Sequence, residues 1–283
     1  MTDRGSTKPP SASTTWVDGV AGATVPADDR GLQYGDGVFE TLLCRDGRPR
    51  FLALHLDRLA RGCDALGFRA PPVTLLCTEV KQAAQLCGDG IVKLVVTRGS
   101  SLQRGYMPPA EPQPRRIVTV HAVDNTGLWN RQGVSVTFSD HVLPVSSRLG
   151  GVKHLNRLDN VLARAALAGT PIAEALLSLT DGQVVCGTMS NVFLVRGRRL
   201  ITPFVGDAGI AGVIRAVVLR ESAALGLDAV EGRLRRPDFA SADEVFLTNA
   251  RVGVCPVVAL AGWHGTAGVV TRKLQIHIDA LQD

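Results

Sequence analysis

Several things that would place a chain in a special class are scarce or missing here. Aromatic residues make up 5% of the sequence, and no basic block is interleaved with them, so the stacking platforms of nucleic-acid binders are absent. The formal charge of +5 is scattered. Its densest stretch, Arg233, Arg235 and Arg236, reads as a solvated face. A modest positive balance suits a small anionic ligand equally well, and nucleic acid is set aside as a partner. The six cysteines (Cys44, Cys63, Cys77, Cys87, Cys186 and Cys255) form no C-x-x-C pair and no compact spacing. Neither a metal site nor a disulfide framework is therefore expected, and they read as reduced thiols. No apolar run approaches the roughly 18 residues of a membrane span, and MTDRGSTKPPSASTT at the start has no apolar leader core. The expectation is a cytoplasmic chain without a membrane partner. No G-x-G-x-x-G follows a strand and opens a helix, which argues against a doubly wound dinucleotide fold.

What is present is ordinary for a globular enzyme: 45% hydrophobic and 20% charged residues over 283 positions, enough for two domains at about 100–200 residues each. Residues 1–14 are too polar to offset the cost of ordering backbone and read as a flexible tail. Residues 15–125 read as a smaller α+β domain. A strand over 37–43 runs into an Asp46-Gly47 hairpin turn, helices lie near 55–67 and 78–86, and strands cover 91–98 and 116–122. Residues 126–283 read as a larger mixed α/β domain. Its expected elements are strands at 134–138, 244–247 and 268–271, strand pairs around Asp181-Gly182, and helices at 156–168 and 210–225.

A few residues could carry chemistry. Lys153 lies between a Gly150-Gly151 pair and a helix start, where a lysine could have the lowered pKa and room to swing that imine formation needs. Taken alone, a lysine before a helix is equally an ordinary surface residue. Gly209-Ile210-Ala211-Gly212-Val213-Ile214-Arg215 opens a helix whose free first-turn N–H groups could cup a phosphate. A glycine-rich packing turn reads the same way. Thr248 and Asn249, after the apolar run 245–247, could add a hydroxyl and amides, and Arg58 could add a cation.

Together these strings resemble the fold-type-IV enzymes that use pyridoxal 5′-phosphate (PLP), the group of branched-chain and D-amino acid aminotransferases, and within it the aminodeoxychorismate lyases. Seven stretches carry the resemblance in order: DRGLQYGDGVFET (29–41), HLDRL (55–59), TRGSSLQRGYMPP (97–109), KHLNRLDNVLAR (153–164), DGQVVCGTMSNVFLV (181–195), GIAGVIR (209–215) and VFLTNA (245–250). KHLNRL and RGY followed by two prolines resemble the lyases in particular.

The resemblance implies a two-domain, D-amino acid aminotransferase-like fold, PLP on Lys153 as a Schiff base, and Lys153 as proton shuttle. It implies that Arg58, the amides of Val213 and Ile214, and Thr248 hold the phosphate. Arg98, Arg104 and Tyr106 are implied to meet substrate carboxylates, with Tyr34 and Asn249 lining the cleft, and the chain is implied to form a homodimer. One position departs from the family pattern: a glutamate that pairs with the pyridine nitrogen is replaced by Cys186, and a neutral thiol cannot hold that ring cationic by charge. The implied activity is conversion of 4-amino-4-deoxychorismate to 4-aminobenzoate and pyruvate, a step toward folate. The alternatives are a D-amino acid or branched-chain aminotransferase, or a repurposed fold without PLP catalysis.

Overall fold

A computed structural model describes residues 14–102, 105–123, 129 and 131–281. The chain divides into two compact units, Met1–Asp124 and Asn125–Asp283. The expected tail lies outside the described residues except for Thr14, whose carbonyl accepts from Val120 N at 3.1 Å.

The first unit contains β1 (Thr15–Val17), β2 (Val20–Ala21), α1 (Arg30–Tyr34), β3 (Gly37–Arg45), β4 (Arg48–Pro49), α2 (Leu52–Leu66), α3 (Val73–Cys87), β5 (Gly90–Thr97) and β6 (Arg115–Ala122). Its six-stranded sheet runs β2-β1-β6-β5-β3-β4 with every pairing antiparallel. Alternation decides which face is covered: Val38, Glu40, Leu42 and Cys44 on β3 are buried, as are Val92, Leu94 and Val96 on β5. Helix α2 packs on β3, and α3 packs on β5 and β6. The buried stripe of α2 is His55, Leu56, Arg58, Leu59, Gly62 and Cys63, an apolar helical face into which one histidine and one arginine have been set. Asp46 and Gly47 both have positive φ, 49° and 72°, between the paired residues Arg45 and Arg48. This is the geometry a two-residue hairpin needs to match the strand twist.

The second unit contains β7 (Val134–Val142), α4 (Leu158–Ala165), β8 (Glu174–Ser178), β9 (Gln183–Gly187), β10 (Asn191–Arg196), β11 (Arg199–Pro203), α5 (Val213–Glu221), β12 (Asp228–Gly232), β13 (Leu234–Arg235), α6 (Arg236–Ala240), β14 (Glu244–Asn249), β15 (Gly253–Leu260), β16 (Trp263–His264) and α7 (Val269–Ala280). Its sheet runs β12-β11-β10-β14-β15-β7-β8-β9-β13, with β16 on β15. Strands β8 and β9 are buried along their whole length and β14 up to Thr248, so both faces are covered and burial does not alternate along them. Phe193 and Phe246, Cα partners on β10 and β14, stack at 4.8 Å between ring centroids.

The segment 268–271, expected as a strand from its β-branched run, is instead the start of α7. The buried Glu244 carboxylate accepts from Val270 N at 3.0 Å, Thr271 N at 2.8 Å and Thr271 Oγ1 at 2.6 Å. A carboxylate supplied from a distant strand caps the first turn, and this tertiary contact outweighs local β-propensity. The helix expected over 156–168 is shorter, spanning Leu158–Ala165, and α3 begins five residues earlier than its apolar pattern implied. Among the described residues no helix is long and apolar enough to cross a membrane.

Candidate active site

In the second unit, the loop carrying Lys153 is bound backbone to backbone against the segment that opens α5. Ser146 N donates to Asp207 O at 2.8 Å, Gly151 N donates to Gly209 O at 3.1 Å, and Ala211 N returns a bond to Gly151 O at 3.0 Å. The two glycines are there for close approach. A Cβ on Gly150 would lie 2.0 Å from Gly206 O, and Gly151 has φ +77°. The pair is held close to this segment, and Lys153 follows two residues later, half-buried, five residues ahead of α4.

Helix α5 begins at Gly212, whose backbone is extended and supplies no side-chain cap. The first-turn amides of Val213 and Ile214 therefore have no acceptor within the helix and carry the positive end of its dipole. Two side chains from adjacent strands complete this end. Asn191 on β10 and Thr248 on β14 are Cα partners; Asn191 Nδ2 donates to Ile210 O at 2.8 Å. A Cβ on Gly212 would fall 2.2 Å from Asn191 Oδ1, so glycine is required where the chain turns into the helix. Thr248 is 3% exposed, and its hydroxyl finds no hydrogen-bond partner among the described residues. Native proteins leave few such groups unsatisfied. Strand β14, which carries Thr248, packs against α5.

Cys186 lies on β9 with 5% exposure, its Sγ 3.2 Å from the point a Gly209 Cβ would occupy. Burial pushes the thiol up to about 12; Glu174 adds to this and Arg157 opposes it. The thiol is neutral at any ordinary pH. Glu174, fully buried on β8, is the adjacent carboxylate. It accepts from Ala175 N and Thr188 N at 2.9 Å, Met189 N at 3.0 Å, Ser190 Oγ at 2.9 Å, and Thr188 Oγ1. It is committed to holding the 188–190 turn. Asn249 is likewise occupied: Nδ2 donates to Met189 O at 2.6 Å and Oδ1 accepts from Arg251 N at 2.7 Å. It shapes the turn rather than offering both amide ends to a ligand.

In the first unit, Arg58 is held by the buried Glu40. Arg58 Nε donates to Glu40 Oε1 at 2.8 Å, its Nη2 reaches Oε2, and His55 Nδ1 lies 2.6 Å from the same oxygen. Burial by itself would raise the Glu40 carboxyl, but Arg58 and His55 outweigh it and hold the group at about 2. This triad was not anticipated from sequence, although Glu40, His55 and Arg58 all fell inside recognised strings.

Arg98, expected to offer a guanidinium fork to substrate, is 5% exposed and bonded within the first unit. It is bidentate to Asp36 at 2.7 and 3.1 Å, and donates to Leu66 O at 2.7 Å and Gly67 O at 3.2 Å at the C-terminus of α2. Arg30 also bonds Asp36, at 2.9 Å, and reaches Tyr106 O at 2.9 Å. A network on Asp36 thus ties down the 105–107 segment, leaving the Tyr106 side chain 84% exposed. Tyr106 meets Tyr34 edge-on at 5.4 Å between centroids. Arg104 lies outside the described residues.

Known proteins can be set beside this geometry. The chain is 30% identical over 267 residues to an aminodeoxychorismate lyase of Vibrio harveyi, covering 92% of this chain and 97% of that one. It is 28% identical over 262 residues to a D-alanine aminotransferase of Bacillus licheniformis, covering 89% of each. Among solved structures, 4-amino-4-deoxychorismate lyase from Pseudomonas aeruginosa superposes with a TM-score of 0.88 at 40% identity, over 94% of this chain and 99% of that one. The amino-transferase class IV family matches residues 37–260, and the chain belongs to that family.

Proposed function

We propose that the chain is a PLP-dependent lyase that converts 4-amino-4-deoxychorismate to 4-aminobenzoate and pyruvate. The observation that carries this reading is the union, within one unit, of a lysine-bearing loop with a phosphate-ready helix start: Gly151 is bonded to Gly209 and Ala211, and the buried Thr248 hydroxyl lacks an acceptor. Similarity over nearly the full length to lyases of two organisms supports the choice of reaction.

The fit to the cofactor is good at the phosphate and incomplete at the ring. The amides of Val213 and Ile214 and the hydroxyl of Thr248 would take the phosphate, each donating to an anionic oxygen. Arg58, oriented by Glu40, is proposed as a further cation for it. At the pyridine nitrogen the family carboxylate is missing, and Cys186 offers only a neutral thiol. Glu174 does not replace it, because five donors already occupy its oxygens. When bound, PLP supplies an electron sink next to the carbon that bears the substrate amine.

Lys153 then removes the proton from that carbon and, as an ammonium, returns one as the C–O bond to the enolpyruvyl group breaks. The ring left behind becomes aromatic, which drives the expulsion and lessens the demand on a protonated pyridine. Tyr34, Tyr106, Arg104 and Asn249 are proposed to line the substrate cleft. A homodimer in the cytoplasm completes the reading.

The test is an absorbance spectrum of the purified chain followed by a coupled assay with chorismate and an aminodeoxychorismate synthase, reading 4-aminobenzoate by fluorescence. A visible band lost in Lys153→Ala, with product release, is expected. A bound cofactor that yields keto acid with 2-oxoglutarate but no 4-aminobenzoate overturns the lyase in favour of an aminotransferase. Absence of any bound cofactor overturns both.

A further inference from the structure

The first unit brings together two free thiols far apart in sequence, Cys44 and Cys87. Cys44 on β3 and Gly90 on β5 are Cα partners in the antiparallel sheet, so their Cβ positions share a face, about 4.5–5.5 Å apart. The Cβ that Gly90 lacks would fall 2.2 Å from Cys87 Sγ. The Cys87 sulfur, carried by the last residue of α3, thus stands in the place of the side chain opposite Cys44, and glycine at position 90 leaves room for it. A disulfide joins Cβ atoms about 3.5–4.5 Å apart, and a sulfur already at a cross-strand neighbour's place comes within reach of Cys44 Sγ by rotation about χ1. Burial pushes the Cys44 thiol up to about 12, with Cys87 adding to the rise, and burial raises Cys87 as well. Cys44 Sγ is otherwise engaged by a weak 3.9 Å contact to Leu42 O. The end of α3 is already fastened to the turn that follows β3. Gly47 N donates to Gly88 O at 3.2 Å, and Asp46 N to Asp89 Oδ1 at 2.8 Å. Cys44 is 1% exposed whereas Cys87 is half-buried, so a reagent from solvent meets Cys87 first.

We propose that Cys44 and Cys87 form a redox-operated clip that a low-molecular-weight disulfide closes and its thiol reopens. The Cys87 thiol gives up its proton and attacks one sulfur of the small disulfide, expelling the other half as a thiolate. The Cys44 thiol, losing its proton in turn, attacks Cys87 Sγ and expels the second half. Two protein thiols lose two electrons and two protons, and one small disulfide is reduced to two thiols. The thiolate is the attacking species, so raised thiols close slowly, and the pair answers sustained oxidation rather than a brief pulse. Once formed, the bond ties α3 to the sheet and constrains the unfolded loop between residues 44 and 87, which stabilises the folded unit. The clip lies within the first unit and stands whether or not PLP binds elsewhere.

The experiment incubates the full chain with oxidised glutathione, alkylates the remaining thiols, and maps the digest by mass spectrometry, beside Cys87→Ser and Cys44→Ala treated alike. Wild type is expected to yield peptides joined through Cys44 and Cys87, separated again by dithiothreitol and absent from both variants. Oxidised wild type is expected to melt roughly 5–15 °C above its reduced form, and Cys87→Ser, which keeps the buried partner intact, is expected to lose that difference. A glutathione adduct that persists on Cys87 without joined peptides overturns the proposal. So does a bond formed instead at Cys77, the other half-buried thiol, or full alkylation of Cys44 and Cys87 after an exposure that oxidises the urea-unfolded chain. A bond that forms but leaves the melting temperature unchanged or lower overturns the clip as a fastening of α3.

Discussion

The unsatisfied hydroxyl of Thr248 gives a prediction with opposite signs in two states of one protein. In Thr248→Val the methyl shape is kept and the hydroxyl is lost. Without cofactor, that hydroxyl is 3% exposed and lacks a partner. A buried polar group left unsatisfied costs about 1–3 kcal/mol, so its removal should stabilise the unloaded chain by about 1–2 kcal/mol. For a cooperative unit of this size, each kcal/mol moves the melting temperature by roughly 2–4 °C, and the variant is expected to melt a few degrees higher. With phosphate present the same hydroxyl donates to an anion, an interaction of about 1.5–3 kcal/mol, and at 1.4 kcal/mol per decade its loss weakens PLP by roughly 10- to 100-fold. The assays are thermal melts of the unloaded proteins and an absorbance titration with PLP. An unloaded variant that melts below wild type, or one that binds PLP with undiminished affinity, would refute the placement of Thr248 in the phosphate cup.

Four further expectations follow from particular contacts. Gly212→Ala places a methyl 2.2 Å from Asn191 Oδ1; the forced shift is expected to cost about 1–3 kcal/mol and to weaken PLP binding, as melts and titration would reveal. Arg98→Ala removes two bonds to Asp36, which keeps Arg30 as its partner, and leaves the Leu66 and Gly67 carbonyls without their donor, so a loss of about 1–3 kcal/mol in denaturant unfolding is expected, with little change in substrate KM. Glu40, held at about 2 against an ordinary 4.5, contributes stability that is fully present above pH 4.5 and is lost as pH falls through 2. That contribution is of order 3 kcal/mol, and the unfolding free energy of Glu40→Gln should be correspondingly flatter across this window. Cys186→Glu is expected to lower the stability of the unloaded chain, since a carboxylate is being buried, and to raise keto-acid formation by the loaded one; unaltered keto-acid formation in a folded variant would show that the thiol does not limit transamination.

Much of this was legible in the linear sequence because the relevant signals are local. The Asp46-Gly47 turn, the 3.6 periodicity of α2 and the apolar runs of β5 and β6 each depend on neighbours a few residues apart, and so does the glycine-containing entry to α5. The same locality explains the misreading of 268–271, where the residues that say helix are not neighbours: Glu244 reaches the first turn of α7 from another strand.

The sequence by itself determined which residue types were available for chemistry: a lysine before a helix, a glycine-rich helix entry, a threonine at the end of an apolar strand, and a cysteine where the family has a carboxylate. Only the tertiary structure decided what each could do. It set Gly151 against Gly209 and thereby joined the lysine loop to the helix start, left the Thr248 hydroxyl without a partner, and committed Arg98 to Asp36 rather than to a ligand. Hydrogen-bond satisfaction is a property of atoms brought together from distant positions, and for that reason no reading of spacing alone could distinguish an occupied arginine from an available one.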